Sequence, residues 1–506
     1  MSFKPWFVLL VAGLLLGLPN RAAAKPPAIP ALTPDAVTRH TIVLGGRTLQ
    51  YTARAGTITL RNGQDEPTAR VFYTAYTADG TNPSSRAVTF LYNGGPGSST
   101  MWLRMGSFGP VRVVTGDGTL SGPPPYRLAD NQYSLLDKTD LVFIDMPGSG
   151  YGRFIGVGTR KDFWGVDEDV AAFAQFIQRY LTNFNRWNSP RFLFGESYGT
   201  TRSSVLAKYL QDHGIGLNGV VLLSSFLNSN IDYNDGAPIG GGDWGYILYL
   251  PTEAATAWYH HALTGAPSLS ILLSEVENFA LTEYLDALAQ GARLAPDRYN
   301  DVVAKLHRYT GLSEQYIRNS NLRVSYDRFE NELLRERGIT VGRIDSRFQT
   351  YVLDRPEVSP DWDATDAAID SAFVSTSNYY LRQVLKYDTP LLYRSEIYDL
   401  IFADDETWNF KHGENTQILN VAPDLAQAMT YNPNLKVFSA NGYFDFATPF
   451  FATVYALNHL YLAPAIQRNI TYGFYVSGHM VYLHPSALAQ FHADLERWYA
   501  GVLAHA

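Results

Sequence analysis

The sequence predicts an α/β fold: a mostly parallel central sheet flanked by helices, with an inserted, mainly helical cap. Three observations carry that expectation. Apolar runs at 87–92, 141–145, 192–194 and 220–224 each end in a loop rich in Gly, Ser or Asn. Short continuous runs of this kind suit strands buried on both faces of a parallel sheet. Between two of them, Val166, Val170, Phe173, Ile177 and Tyr180 recur at steps of four and three, which predicts an amphipathic helix over 166–181. Asp167, Glu168 and Asp169 sit in its first turn, where acids are favoured by the helix dipole. The third observation is an interruption. From about 230 to 388 the chain turns to helical and irregular segments, including 253–263 and 317–336, before apolar strands return at 435–440 and 470–476 and a last helix follows over 486–503.

Ahead of the first apolar run, alternating stretches at 40–43, 48–53 and 71–75 read as antiparallel strands that open the sheet. A chain of 506 residues exceeds the usual size of a single compact core. Its 46% hydrophobic against 17% charged composition supplies the apolar surface that offsets chain entropy. A net charge of −8 gives no attraction to nucleic acid or to an anionic membrane.

Lys4, the apolar run 6–18 and Ala22-Ala23-Ala24 before Lys25 read as a signal peptide over 1–24. The run is short for a span of about 20 residues, so cleavage and export, periplasmic or extracellular, are expected without stable membrane association. Cysteine is absent, which excludes thiol catalysis, Cys-type metal sites and disulfides. There is no H-E-x-x-H, and Gly240-Gly241-Gly242-Asp243 lacks the Lys-Ser/Thr that a phosphate cradle needs. That stretch reads as a lid loop, and neither metal nor cofactor is expected.

The chemistry gathers in four motifs. Gly195-Glu196-Ser197-Tyr198-Gly199 follows the run 192–194 and precedes a helix expected over 201–210. In that setting G-x-S-x-G is the nucleophile elbow of the α/β-hydrolase fold, a sharp turn that leaves a serine hydroxyl above the sheet. Asn93-Gly94-Gly95-Pro96-Gly97 closes an earlier strand, where backbone N–H groups can approach a developing alkoxide; the amides of Gly95 and Tyr198 are the expected oxyanion donors. A serine nucleophile needs a base, and the base needs an acid to hold its tautomer. His479, in Ser477-Gly478-His479-Met480, and Asp445, in Asn441-Gly442-Tyr443-Phe444-Asp445, follow the last two strands in the chain order of this fold. His260, His261, His459 and His484 lack that setting and read as surface or packing residues.

Taken in order, Asn93-Gly94-Gly95-Pro96-Gly97-Ser98-Ser99, the Ser197 elbow, the Asp445 motif and Gly478-His479-Met480 resemble the serine carboxypeptidases, from about residue 40 to 495 and with features of a bacterial branch. The resemblance implies removal of C-terminal residues from peptides, with Asn93 and Glu196 binding the terminal carboxylate and Gly94 and Met480 completing the substrate contacts. The residue patterns divide the chain into a signal at 1–24, a hydrolase core at 25–229 and 389–506, and a cap at 230–388.

A protonated Glu196 could donate to a substrate carboxylate, whereas an ionised one would repel it; the bland reading is that it bonds its own turn. The sequence departs from the family at Ser107, where a second recognition glutamate is expected, and at Ser98, where many eukaryotic members have cysteine. A serine cannot share a proton with Glu196, so two alternatives stay open: an esterase or acyltransferase with the same triad, and a non-catalytic binding protein on this scaffold.

Overall fold

The computed structural model describes residues 31–232, 242–354, 358–360, 362–402, 408–414 and 419–504. The expected signal over 1–24 and Gly240-Gly241 of the lid loop lie outside the described residues.

Ten strands form one sheet: β1 (Ala36–Leu44), β2 (Arg47–Arg61), β3 (Pro67–Ala78), β4 (Val88–Tyr92), β5 (Asp140–Ile144), β6 (Arg153–Phe154), β7 (Arg191–Ser197), β8 (Gly219–Ser225), β9 (Lys436–Gly442) and β10 (Ile470–Tyr475). Their spatial order is β1-β2-β3-β5-β4-β7-β8-β9-β10, with β6 paired to β3. β1, β2 and β3 are antiparallel, and β3 meets β5 antiparallel. From β5 to β10 every pairing is parallel, so the expected mostly parallel sheet is present.

The central strands are buried because helices cover both faces. All five residues of β4 and of β5 are buried, as are all seven of β8. One face packs on α1 (Val166–Asn183) and α2 (Tyr198–Asp212) through Phe173, Phe176, Ile177, Tyr180 and Leu206. On the other face lies the last helix, Pro485–Leu503, whose Phe491 meets Phe194, Phe438 and Tyr475 in ring contacts of 5.1 to 6.2 Å. Aromatic pairs at such offsets add to the area they bury.

Between β8 and β9 the chain is mainly helical. It includes α3 (Trp244–Tyr259) and α4 (Ala364–Tyr379), and among the described residues its strands are the short antiparallel pair Ile339–Val341 and Gln349–Tyr351. The single helix expected over 317–336 is not formed. Its place is taken by Glu314–Asn319, Tyr326–Glu332 and a 3-10 turn at Arg335–Arg337. Asn321 and Leu322 adopt φ of 49° and 67°, a left-handed pair that breaks the i to i−4 ladder. Likewise the helix expected over 253–263 ends at Tyr259, because His261 turns to φ 57°. Among the described residues no helix is long and apolar enough to cross a membrane.

The parallel strands point their C-terminal ends toward one edge of the molecule, and the loops leaving β4, β7, β9 and β10 meet there. Loops at the carboxyl ends of parallel strands are where such sheets build their sites.

Candidate active site

A strained residue marks the centre. Ser197 closes β7 and precedes α2 with φ 60° and ψ −130°, a conformation that costs a non-glycine residue about 1–3 kcal/mol. The sharp turn presents its side chain to a cavity of about 370 Å³, lined also by Asn93, Gly94, Gly95, Glu196, His479 and Met480. Tyr198 contributes backbone only, since its ring is buried against Trp408 at 5.4 Å. Its N–H is the first of α2 and has no acceptor within the helix. The Gly94 loop comes up against this amide so closely that a Cβ on Gly94 would stand 2.4 Å from the Tyr198 nitrogen. Gly95 thereby faces the cavity beside the N-terminus of α2.

His479 and Asp445 meet across the loops after β10 and β9. Nδ1 of His479 lies 2.9 Å from Oδ2 of Asp445. The carboxylate is held on all sides: Oδ1 accepts from the backbone N–H of Ala447 (2.8 Å) and Thr448 (2.9 Å), and Oδ2 accepts from the Thr448 hydroxyl at 2.8 Å. Asp445 is fully buried and His479 is 5% exposed. Burial opposes charge on the imidazole, but the carboxylates of Asp445 and Glu196 outweigh it and raise its pKa above the ordinary histidine value. Ser224 donates its hydroxyl to the His479 carbonyl at 2.7 Å. Among the described residues the Ser197 hydroxyl is not engaged by a hydrogen bond, so it is free to turn toward Nε2 or a substrate.

A segment of the helical insertion completes this arrangement. Residues 342–348 thread between the two late loops: His479 N–H donates to the Ile344 carbonyl (2.7 Å), Phe446 N–H to that of Arg343 (3.0 Å), and Ser346 N–H to that of Phe444 (3.0 Å). The approach is so close that a Cβ on Gly478 would fall 2.5 Å from the Asp345 Cα, which explains the glycine before His479. Buried Asp345 and Arg347 pair at the back of the segment, and Arg347 also reaches the Ser477 hydroxyl at 3.3 Å.

The first motif is held from beneath by an ion pair with no exposed surface. Arg202 of α2 donates Nε to Asp169 of α1 at 2.6 Å and Nη1 to the Asn93 carbonyl at 2.9 Å, with the Phe173 ring 4.1 Å away. Burial pushes the Asp169 carboxyl up to about 6 against the pull of Arg202. Asp169→Ala would leave a guanidinium buried without its counter-charge, a loss of about 3–5 kcal/mol. Urea unfolding followed by tryptophan fluorescence is expected to show that loss.

Glu196 is 2% exposed, and both of its oxygens accept from the Tyr482 hydroxyl, at 3.1 and 3.0 Å. Asn93 lines the same cavity, and its Oδ1 accepts from Leu103 N–H at 3.1 Å. Burial raises the Glu196 pKa to about 7, against the lowering effect of His479 and Tyr482. Ser107 is turned away, fully buried with its hydroxyl on the Leu103 carbonyl at 2.6 Å. The partner of Glu196 is therefore Tyr482, which nothing in the motif spacing announced.

Four charged cavity residues escaped the sequence reading: Arg343, Asp366, Asp370 and Glu396. A signal existed for two, since Asp366 and Asp370 stand one turn apart on α4. Burial, followed by repulsion from Glu396, raises Asp370 to about 7, and Glu396 is raised as well.

The model of the serine carboxypeptidase family matches residues 47–325, more than half of the chain. The chain belongs to that family. A pheromone-processing carboxypeptidase KEX1 from Cryptococcus gattii is 29% identical over 185 residues, 36% of this chain and 26% of that protein. Serine carboxypeptidase-like 45 from Arabidopsis thaliana is 25% identical over 191 residues, 34% of this chain and 37% of its own length. The matched stretches thus span well under half of these curated relatives. Among solved structures, the crystal structure of Kex1(Δ)p, a prohormone-processing carboxypeptidase from Saccharomyces cerevisiae, superposes with a TM-score of 0.54 at 17% identity, covering 89% of this chain and 91% of that one. That likeness establishes a shared α/β-hydrolase fold.

Proposed function

We propose that the protein is an exported serine carboxypeptidase that removes C-terminal residues from peptides, with residues 1–24 as its signal and 230–388 as a cap over the cleft. The observation that carries this reading is one cavity holding the Ser197 hydroxyl, the Asp445-held imidazole of His479 and the buried carboxyl of Glu196. In the first step Ser197 Oγ attacks the scissile carbonyl while its proton passes to Nε2 of His479. Asp445 steadies the imidazolium, and the amides of Gly95 and Tyr198 receive the negative charge on oxygen. The imidazolium then gives its proton to the departing amine. Water, deprotonated by the same imidazole, releases the peptide from Ser197. Asn93, Gly94, Glu196 and Met480 line the side on which the leaving residue sits.

Blocked dipeptides with free and amidated C-termini test this reading. A carboxypeptidase turns over the free acid far faster. Equal rates, with ester substrates preferred, would instead support the esterase or acyltransferase reading, which the engagement of both Glu196 oxygens by Tyr482 keeps alive.

The pH profile follows from two shifted groups. His479 must be neutral to act as base, so kcat rises with pH through a value above the ordinary histidine range. Glu196 donates to a carboxylate only when protonated, so KM for a free-acid peptide climbs as pH passes about 7. Because Tyr482 lowers the Glu196 pKa, removing its hydroxyl in Tyr482→Phe raises that pKa. The alkaline rise in KM is then expected at higher pH, read from KM against pH for both enzymes.

A further inference from the structure

We propose that Arg343 is the cation that receives the peptide's terminal carboxylate, an inference that rests on the carboxypeptidase reading above. Its backbone is pinned in the site. The Arg343 N–H donates to Asp363 Oδ2 at 2.8 Å, its carbonyl accepts from Phe446, and the next carbonyl accepts from His479. The residue that follows it in the chain thus holds the catalytic imidazole's backbone, and the Arg343 side chain lines the same cavity as Ser197 and Glu196.

What sets this guanidinium apart is that, among the described residues, no carboxylate or carbonyl lies within hydrogen-bonding distance of it, although Glu330 and Asp363 are close enough to favour its charge. Arg104 donates to Thr74 and Ser377, Arg186 to Asp140, Arg202 to Asp169 and Arg347 to Asp345. Among the described residues the Arg343 guanidinium makes neither an ion pair nor a hydrogen bond, and the Tyr326 ring lies 5.9 Å from its centre. No nitrogen of this part-exposed guanidinium is sealed from solvent, so its five donors stay open to a ligand, and a carboxylate matches the fork in charge and shape.

The acids around it do not fill that place. Asp363 commits its oxygens to the backbone N–H groups of Arg343, Ile344 and Thr365. Burial raises the pKa of Glu330 against the pull of Arg343, and no hydrogen bond joins the two among the described residues. Asp366, Asp370 and Glu396 line the cavity without reaching the guanidinium as an ion pair. Meanwhile the position where the family resemblance implies a second carboxylate-binding glutamate holds Ser107, turned away from the cavity. A guanidinium stays charged throughout the working pH range. It therefore keeps a preference for free C-termini at pH 8, where Glu196, at about 7, is largely ionised.

The experiment measures kcat/KM at pH 8 for a blocked dipeptide with a free C-terminus and for its amide, in wild type, Arg343→Ala and Arg343→Lys. Fluorophosphonate labelling of Ser197 reports that each variant has a folded site. The free-acid to amide ratio is expected to fall on the order of 10- to 100-fold in Arg343→Ala, mainly through KM for the free acid, because one charge-assisted contact is lost. Arg343→Lys, which keeps the charge and loses the fork, is expected to fall between. If wild type prefers free acids and both variants keep its ratio, the assignment of Arg343 is overturned while the carboxypeptidase reading survives. A wild-type ratio near one overturns both. Should Arg343→Ala fail to label, the Lys variant decides.

Discussion

Ser197→Ala is expected to lower kcat on a peptide by about 10⁶-fold and to abolish fluorophosphonate labelling, leaving the small residual rate that oxyanion contacts and binding supply on their own. The effect is large because nothing else in the cavity substitutes for the nucleophile. Ser98, which also lines the cavity, has its hydroxyl hydrogen-bonded to that of Tyr398 at 2.5 Å, and Thr200, the nearest aliphatic hydroxyl along the chain, is fully buried and donates to the Ser197 carbonyl at 2.7 Å. The turn itself belongs to the fold: its φ of 60° is imposed by β7 running directly into α2. Alanine inherits the same strain, so unfolding by urea should match wild type within about 0.5 kcal/mol, as for substitutions that create neither cavity nor buried charge. A residual rate within tenfold of wild type would mean that another group attacks the substrate, and the proposed mechanism would fall.

Asp445→Asn is expected to cost about 10⁴-fold in kcat, and the hydrogen bonds explain why an isosteric change does so much. Oδ1 accepts from two backbone N–H groups, those of Ala447 and Thr448, so an asparagine must keep its carbonyl oxygen there. Its NH₂ then points at His479 Nδ1, where the carboxylate accepted at 2.9 Å. An amide that donates to Nδ1 drives the ring proton to Nε2, and Nε2 can no longer take the Ser197 proton. Stopped-flow turnover of an activated ester over a pH range checks this: the loss should persist at every pH where wild type is active. A drop smaller than tenfold would show that Asp445 does not set the tautomer.

Much of this architecture was legible in the chain. The apolar runs at 87–92, 141–145, 192–194 and 220–224 correspond to β4, β5, β7 and β8, because strands buried on both faces must be apolar throughout. The helix read over 166–181 is α1, whose buried stripe follows from a period of 3.6. Each candidate motif stood at the carboxyl end of a strand, where glycines interrupt the apolar pattern. The failures share a cause. The break at Asn321 and Leu322 and the turn at His261 are left-handed backbone, which Asn and His tolerate without requiring it and Leu rarely adopts, so no residue there compels the turn. Tyr482 lies three residues beyond His479, and no periodicity distinguishes a tyrosine that bonds Glu196 from one that fills a core.

By itself the sequence determined the order of strands and helices, the four motifs and the family, because these depend on apolar periodicity and on which residues can stand in tight turns. Only the tertiary structure decided that residues 342–348 of the insertion lie between the Asp445 and His479 loops, that Tyr482 and not residue 107 meets Glu196, and that Arg343 lines the cavity beside Ser197. Those facts are contacts between segments far apart in the chain. They depend on side-chain direction and on competition for hydrogen-bond partners in three dimensions, and no local pattern of residues encodes either.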